Sequence, residues 1–234
     1  MELHLSAPLR RLGSTLEWDG LLAAGDLGSC EVYPQKVQHN SNGRYDVTYA
    51  VVCGDCECIT YTAQQLRNMA FGAALDFCWS STGTGDYVVH ESISKLTLFR
   101  NFKEVKSEKP RVLSAEGLFG GTGAIGVKGN DSIAMFAWEE LRLIRKIDVV
   151  VKNVFWFEKG SHVVLAYESS FLVLRYNMEL AAQTFGAGTN SPEEGVDGAF
   201  DLLHEISDKV GTGKWVGDCF LYANAGGTQL LRGR

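Results

Sequence analysis

The chain has little of what nucleic-acid-binding or membrane-spanning proteins need. No run of Lys and Arg exceeds two adjacent residues, and the net charge of the 234 residues is −6. Phosphate binding requires clustered basic side chains, so no nucleic-acid partner is expected. No segment approaches about eighteen consecutive apolar residues, so neither a transmembrane segment nor a signal peptide is predicted. With 4 prolines against 26 glycines, the chain turns often but has no proline-rich linker.

The sequence also lacks the motifs of nucleophilic and phosphate chemistry. It contains no G-x-S-x-G, no H-E-x-x-H and no G-x-x-x-x-G-K-[ST]. His90-Glu91 and His204-Glu205 are adjacent pairs, and neighbouring side chains diverge on a strand or a helix, so acid and base partners are not assigned. Asp218, which lies between Gly217 and Cys219, is expected as a buried turn acid, with a partner surface as the alternative. No catalytic residue and no cofactor are predicted, and the chain is not expected to be an enzyme.

Six cysteines, at positions 30, 53, 56, 58, 78 and 219, have irregular spacing. They are interpreted as reduced thiols of a cytosolic protein. Cys53, Cys56 and Cys58 lack the second cysteine or histidine pair that a zinc site requires, and no metal site is predicted. Cys56 and Cys58 are expected on one face of a strand, with Cys53 across a turn. Adventitious metal binding or oxidation is the alternative.

A repeat of 37 to 38 residues runs through most of the chain. Aligning Tyr61, Phe99, Phe136 and Leu174 gives separations of 38, 37 and 38 residues. These four residues lie in short segments rich in β-branched and aromatic side chains, which are CITYTA (58 to 63), LTLFRN (96 to 101), IAMFAW (133 to 138) and FLVLRY (171 to 176). Such a period indicates a stack of equivalent supersecondary units.

Three of the units contain a further strand signal. An apolar or aromatic cluster runs into a polar turn in VQHNSNGRY (37 to 45), FCWSSTGTGDY (77 to 87) and VFWFEKGSH (154 to 162), and a short apolar run follows each turn. Strand, turn, strand, turn and strand, followed by a looser fourth stretch every 37 to 40 residues, is typical of a β-propeller blade. Trp79, Trp138, Trp156 and Trp215 are expected to pack between blades.

Two segments carry signals other than those of strands. Residues 196–210 place apolar side chains at helical spacing and predict one amphipathic helix, inserted between blades. Gly121 to Gly126 spell G-x-G-x-x-G, which in a dinucleotide-binding protein precedes a helix. A turn and a strand are predicted there instead, so the glycines are expected to serve turns and close packing. A small cytosolic nucleotide-dependent oxidoreductase built on Gly121 to Gly126 remains the alternative.

Several longer strings carry a family resemblance. They are GSCEVYPQKVQHNSNGRY (28 to 45), VVCGD (51 to 55), ITYTA with LRNMAFG (59 to 72), RNFKEVKS (100 to 107), LIRKIDVVVKNVFW (143 to 156), EGVDGAFDLLHEIS (194 to 207) and KWVGDCFLY (214 to 222). In this order they resemble the beta-prime subunits of coatomer, the COPI vesicle coat. The resemblance covers about residues 26–222, part of the second of two WD-type propellers.

The resemblance implies an architectural protein. Members of the family assemble with the alpha and epsilon subunits and mediate Golgi-to-endoplasmic reticulum and intra-Golgi transport. They are cytoplasmic and peripheral on Golgi membranes and COPI-coated vesicles. The cargo-tail pocket of the family lies in the first propeller, so no partner-binding residue is transferred to this chain.

Departures from the family pattern suggest a truncated or rearranged copy. About four extra residues lie around Asp46 to Tyr49, and Cys56 stands where the pattern has a turn glycine. Residues 1–25 form a poorly matched segment, and residues 223–234 are an unmatched tail. The matched length supplies about five blades, fewer than the family's ring. An incomplete all-β propeller exposes strand edges, so the isolated chain is expected to be poorly soluble or to associate through its first and last blades. A non-functional truncated fragment is the alternative.

Overall fold

Strands dominate the described part of the chain. The computed structural model describes residues 32–40, 49–62, 67–81 and 85–232, together with two short strands, β1 (His4–Leu5) and β2 (Gly25–Asp26), which pair with each other. The remaining strands form five antiparallel sheets in chain order, and within each sheet the strands that follow one another in sequence are neighbours. This is the meander of a propeller blade.

The five sheets are numbered here from the first to the fifth. The first sheet contains β3 (Lys36–Asn40), β4 (Tyr49–Gly54), β5 (Glu57–Thr62) and β6 (Asn68–Ala73). The second sheet contains β7 (Asp76–Trp79), β8 (Tyr87–Ser92), β9 (Lys95–Arg100) and β10 (Lys103–Glu108), and the third contains β11 (Gly117–Gly120), β12 (Ile125–Lys128), β13 (Ile133–Phe136) and β14 (Leu143–Ile147). The fourth sheet contains β15 (Asn153–Trp156), β16 (His162–Ala166), β17 (Phe171–Tyr176) and β18 (Phe200–Ile206), and the fifth contains β19 (Thr212–Val216), β20 (Cys219–Asn224) and β21 (Gly227–Arg232).

The predicted repeat is confirmed. Tyr61, Phe99, Phe136 and Leu174 lie in β5, β9, β13 and β17, which are the third strands of four successive sheets. All four residues of β13 are buried, as the apolar IAMF sequence predicts for a strand covered on both faces.

Apolar side chains fill the spaces between neighbouring sheets. Four buried clusters join the first sheet to the second, the second to the third, the third to the fourth and the fourth to the fifth. The first strands of neighbouring sheets lie close together: β3 contacts β7, β7 contacts β11, and β15 contacts β19. Among the described residues no cluster joins the fifth sheet to the first, so the sheets form the open, incomplete propeller that the sequence predicts.

The position predicted for the helix is wrong. Residues 200–206 of the predicted helix 196–210 form strand β18, which pairs with β17 along its whole length. The helix, α1 (Met178–Ala187), lies earlier, in the connection between these two strands. Pairing with β17 supplies backbone hydrogen bonds that outweigh the helical spacing of the apolar residues. Gly195 and Gly198, with φ of 90° and 71°, also depart from helical backbone.

The predicted boundaries fall partly on residues that the structure does not describe. Apart from β1 and Gly25, residues 1–25 lie outside the described residues, as do Cys30 and the extra residues 46–48. Tyr49 is the first residue of β4 and pairs with Asn40. Residues 223–232 of the predicted unmatched tail lie in β20, which runs to Asn224, and in β21, which completes the last sheet.

Candidate interaction groove

Local sequence fixes the helix that forms one wall of the candidate site. The Asn177 side chain accepts a hydrogen bond from the Leu180 N–H at 3.1 Å, which caps the first turn. Gly188 ends the helix with φ of 66°, and its N–H donates to the Phe185 carbonyl. Ala181 is buried against the fourth sheet, so the helix has one face anchored and another beside open space.

That space is a surface groove of about 560 Å³, here called the helix groove. Its walls come from four separate parts of the chain, which are the loop after β11, the turn after β13, the end of β17 and the helix. Its lining includes Glu139, Glu140, Arg142, Tyr176, Met178, Ala182 and Phe185. A volume of this size is within the range of small-molecule and side-chain pockets.

Arg142 ties the helix to the turn after β13. Its guanidinium carbon lies 5.6 Å from the centre of the Phe185 ring, and Nη1 donates to the Phe185 carbonyl at 3.4 Å. Its Nε donates to Glu140 Oε2 at 2.7 Å. The hydrogen bond from Arg142 lowers the pKa of Glu140, which therefore stays ionised at neutral pH. The positive charge of Arg142 is thus matched within the groove, and it also suits the negative end of the helix dipole.

The floor of the helix groove is apolar and its rim is acidic. Tyr176 is buried, and burial together with the nearby Glu139 carboxylate raises its pKa to about 12, so the phenol stays neutral. Met178 is 44% exposed at one end of the groove. With Arg142 paired to Glu140, the carboxylate of Glu139 remains as the negative charge of the rim. The lining contains no nucleophile beside a base, so the groove is suited to contact and not to bond making.

The structure gives the G-x-G-x-x-G glycines a packing role. A Cβ on Gly121 would lie 2.0 Å from the Trp156 ring, and a Cβ on Gly123 would lie 2.5 Å from the Gly160 carbonyl oxygen. Gly126 is a residue of β12, so a strand follows the turn, where a dinucleotide site requires a helix. The alternative of an oxidoreductase at Gly121 to Gly126 is not supported.

The cysteines are arranged differently from the prediction. Cys56 is exposed in the turn between β4 and β5, while Cys53 and Cys58 are opposite each other on the two strands and buried. The expectation that Cys56 and Cys58 share a strand face is therefore wrong. Among the residues that the structure describes, no group of three or more His, Cys, Asp or Glu side chains is arranged to hold a metal ion.

The remaining residues singled out in the sequence are dispersed. His90 in β8 is 1% exposed, and Glu91 forms an ion pair with Lys95. His204 and Glu205 are exposed on β18. Asp218 is exposed in the turn after β19, so the expected burial of this acid is wrong.

The tryptophans pack between sheets, as predicted. Trp79 lies in the cluster between the first and second sheets, Trp138 between the second and third, and Trp215 between the fourth and fifth. Trp156 packs against the cluster between the third and fourth sheets. Trp138 follows β13 instead of lying within it, and its Nε1 donates to the Gly121 carbonyl at 2.6 Å.

The helix groove was not predicted from the sequence. The signal for its helix is present, because Asn177 precedes MELAAQTFGA and Gly188 follows it.

In the described part of the chain, no helix is both long and apolar enough to cross a membrane.

Comparison with known proteins gives one family match and several similar proteins. The family model described as the COPA/B second beta-propeller matches residues 20–230. "Coatomer subunit beta'-3" of Arabidopsis thaliana is 48% identical over 205 residues, which is 87% of this chain and 22% of the relative. "Coatomer subunit beta'" of Rattus norvegicus is 45% identical over 224 residues, which is 94% of this chain and 24% of the relative. The chain therefore spans less than a quarter of the length of these relatives.

Solved structures support the fold alone. A structure of Kluyvelomyces marxianus Hsv2 aligns with a TM-score of 0.53 and 12% identity, covering 81% of this chain and 57% of that chain. Hydrazine synthase of Kuenenia stuttgartiensis also aligns with a TM-score of 0.53, at 9% identity, covering 86% of this chain and 71% of that chain. Identities this low carry no functional inference.

Proposed function

Because the chain belongs to the family of COPA/B second beta-propellers, with coatomer beta' subunits as relatives, we propose that it is a structural component of the COPI vesicle coat. The match over residues 20–230 is the observation that carries this proposal. The chain would act through protein contacts in Golgi-to-endoplasmic reticulum and intra-Golgi transport, without catalysing a reaction. It would be cytoplasmic and would associate peripherally with Golgi membranes and coated vesicles through the other coat subunits.

The helix groove is the surface we assign to such a contact. It combines an apolar floor with an exposed methionine, and Met and aromatic side chains are enriched in protein interfaces. The hydrogen bonds of Arg142 hold the helix against the turn after β13, so the groove is preformed. A preformed groove binds with less loss of conformational entropy than a loop that must first become ordered.

The charge of the rim indicates the chemistry of the bound segment. Glu139 and Glu140 border the groove, and only Arg142 among the lining residues is basic. A segment with one large apolar side chain for the floor and a Lys or Arg beside it would complement this surface. We assign this segment to another coat subunit, alpha or epsilon.

The test compares two substitutions on the same helix. Ala182 lines the groove and Gln183 is exposed outside its lining. Ala182→Arg fills the groove, whereas Gln183→Arg places the same charged side chain beside it. Tagged versions of the chain are expressed in cells, captured under native conditions and analysed for the alpha and epsilon subunits by quantitative mass spectrometry.

We expect the unaltered chain and Gln183→Arg to recover coat subunits, and Ala182→Arg to recover about tenfold less, which corresponds to the loss of one central contact. Equal recovery by both variants would remove the groove from the proposal but leave the coat role. Capture of chaperones alone by the unaltered chain would contradict the coat role and favour a non-functional fragment.

A further inference from the structure

The hairpin of β4 and β5 brings two cysteines directly opposite each other. Asp55 and Cys56 form its two-residue turn, with φ of 52° and 63°, and Gly54 pairs with Glu57 at the turn. In such a hairpin the closing pair exchanges both hydrogen bonds, so the next pair, Cys53 and Cys58, is a non-hydrogen-bonded pair. The Cα atoms of such pairs are about 4.5 Å apart, which lies within the range that a disulfide spans.

The two side chains also point the same way. Cys53 and Cys58 belong to one buried cluster between the first and second sheets, so their side chains share a face of the hairpin. Their thiols are hydrogen-bonded to each other. The Cys53 thiol donates to Cys58, which raises the pKa of Cys53 and lowers that of Cys58. Cys58 is therefore the better nucleophile of the pair.

Each of the two cysteines lines a pocket at the surface. Cys53 lines a pocket of about 320 Å³ that also contains Lys36 and Asp76. Cys58 lines a separate pocket of about 380 Å³ beside Tyr87 and Phe99. Both side chains are otherwise buried, so a small oxidant has access to them, whereas a bulky disulfide reagent meets the surrounding side chains.

We propose that Cys53 and Cys58 are a peroxide-sensitive site of thiol modification that closes to an intramolecular disulfide across the hairpin. The Cys58 thiolate attacks one oxygen of hydrogen peroxide, which forms a sulfenic acid and releases hydroxide, and the hydroxide takes up a proton from solvent to become water. The Cys53 sulfur then attacks the sulfenic sulfur, and the departing hydroxide takes the Cys53 proton. In sum, two thiols and one peroxide give one disulfide and two waters. This proposal does not depend on the coat role.

Other cysteines are less suited to the reaction. Cys56 is exposed in the turn between the pair, outside the cluster that holds both thiols. Cys78 belongs to a different cluster, and burial raises its pKa to about 12, which suppresses its thiolate. Cys219 is half-buried on β20 in the fifth sheet.

The test maps the disulfide formed by the folded chain. The purified chain is treated with hydrogen peroxide, its remaining thiols are alkylated, and it is digested without reduction by a protease that cleaves before aspartate. Cleavage before Asp55 separates Cys53 from Cys56 and Cys58. Fragmentation of the linked peptides then shows which of the two later cysteines is alkylated. The variants Cys56→Ser and Cys58→Ser are treated in parallel, as is the unaltered chain in urea.

We expect linkage of Cys53 to Cys58, with alkylated Cys56, and full reversal by dithiothreitol. Cys56→Ser should form the linkage at an unchanged rate, and Cys58→Ser should lose it. The urea-unfolded chain should give a mixture of pairings, because its hairpin register is lost. Linkage through Cys56 in the folded chain, sulfinic acid at Cys58, or the same mixture with and without urea would each overturn the proposal. If Cys58→Ser fails to fold, mapping the disulfide of the unaltered chain still shows which cysteine is linked to Cys53.

Discussion

Asp76 connects three neighbouring sheets, and its removal is expected to destabilise the whole stack. The Asp76 side chain is 9% exposed at the start of β7. One carboxylate oxygen accepts from Lys36 Nζ in the first sheet at 2.6 Å and from the Phe77 N–H at 2.8 Å. The other accepts from the Leu118 N–H in the third sheet at 2.7 Å. The carboxylate thus supplies acceptors to N–H groups on the innermost strands, which have no further strand beside them.

The size of the effect follows from these contacts. Asp76→Ala removes one buried ionic partner and leaves two backbone donors without this acceptor, which costs about 3 to 5 kcal/mol of unfolding free energy. For a chain of this size, the midpoint of thermal unfolding would fall by roughly 6 to 20 °C. Asp76→Asn keeps one carbonyl acceptor but turns an amide donor toward either Lys36 or Leu118, and should cost about 1.5 to 3 kcal/mol. Lys36→Met should cost about 1 kcal/mol or less, because Lys36 is 44% exposed and solvent screens its charge.

Urea unfolding followed by tryptophan fluorescence measures all three variants, since a tryptophan lies at each interface between sheets. The expected order of destabilisation is Asp76→Ala, then Asp76→Asn, then Lys36→Met. If Lys36→Met lowered the unfolding free energy as much as Asp76→Ala, the reasoning would be refuted, because the ion pair and not the backbone donors would then be the source of stability. A loss below about 0.5 kcal/mol for Asp76→Ala, the range of ordinary surface substitutions, would refute it equally.

Four further outcomes are expected. Cys56→Gly should stabilise the chain by about 1 kcal/mol in the same urea assay, because residue 56 holds a positive φ that glycine adopts without strain. Asn177→Ala should destabilise it by about 1 kcal/mol through loss of the helix cap, and circular dichroism should show reduced helix content. Burial lowers the pKa of His90, and the Asp76 charge partly offsets this shift. The neutral imidazole should therefore contribute its full share of the unfolding free energy above about pH 6.5, and this share should decline as the pH falls toward the folded-state pKa. His90→Gln should flatten that decline, and the exposed control His204→Gln should not. Val216 and Leu230 are 54% and 62% exposed on the fifth sheet, and replacing both with Lys should shift sedimentation of the chain toward monomer, whereas an unchanged distribution would exclude this face from self-association.

The repeated strands could be predicted from the sequence, but the exchange of helix and strand after Tyr176 could not. The third strand of each sheet is covered on both sides, so its apolar run has the same appearance in every repeat. β18 is the last strand of its sheet and is paired on one side only, by β17. Its half-exposed residues mix polar and apolar types in a spacing that also suits a helix. Only the pairing with β17, a tertiary effect, separates the two structures.

The helix groove was beyond sequence analysis for a different reason. Gly123, Glu139, Tyr176 and Phe185 line it together, although they come from a loop, a turn, a strand and a helix. No local motif contains all four, and successive residues of the set are 9 to 37 positions apart in the chain. The G-x-G-x-x-G string shows the opposite case, a local motif whose glycines are required by the packing of Trp156 and Gly160 and not by a ligand.

Three of the features with testable consequences lie where two sheets meet. The helix groove joins the third sheet to the helix of the fourth, Asp76 binds groups from the first and third sheets, and Cys53 and Cys58 face the second sheet from the first. In a propeller each sheet is a small antiparallel unit with little core of its own, so most burial comes from contact between neighbours. A substitution on an exposed outer strand should therefore change one sheet locally. One at an interface changes the packing of two sheets together.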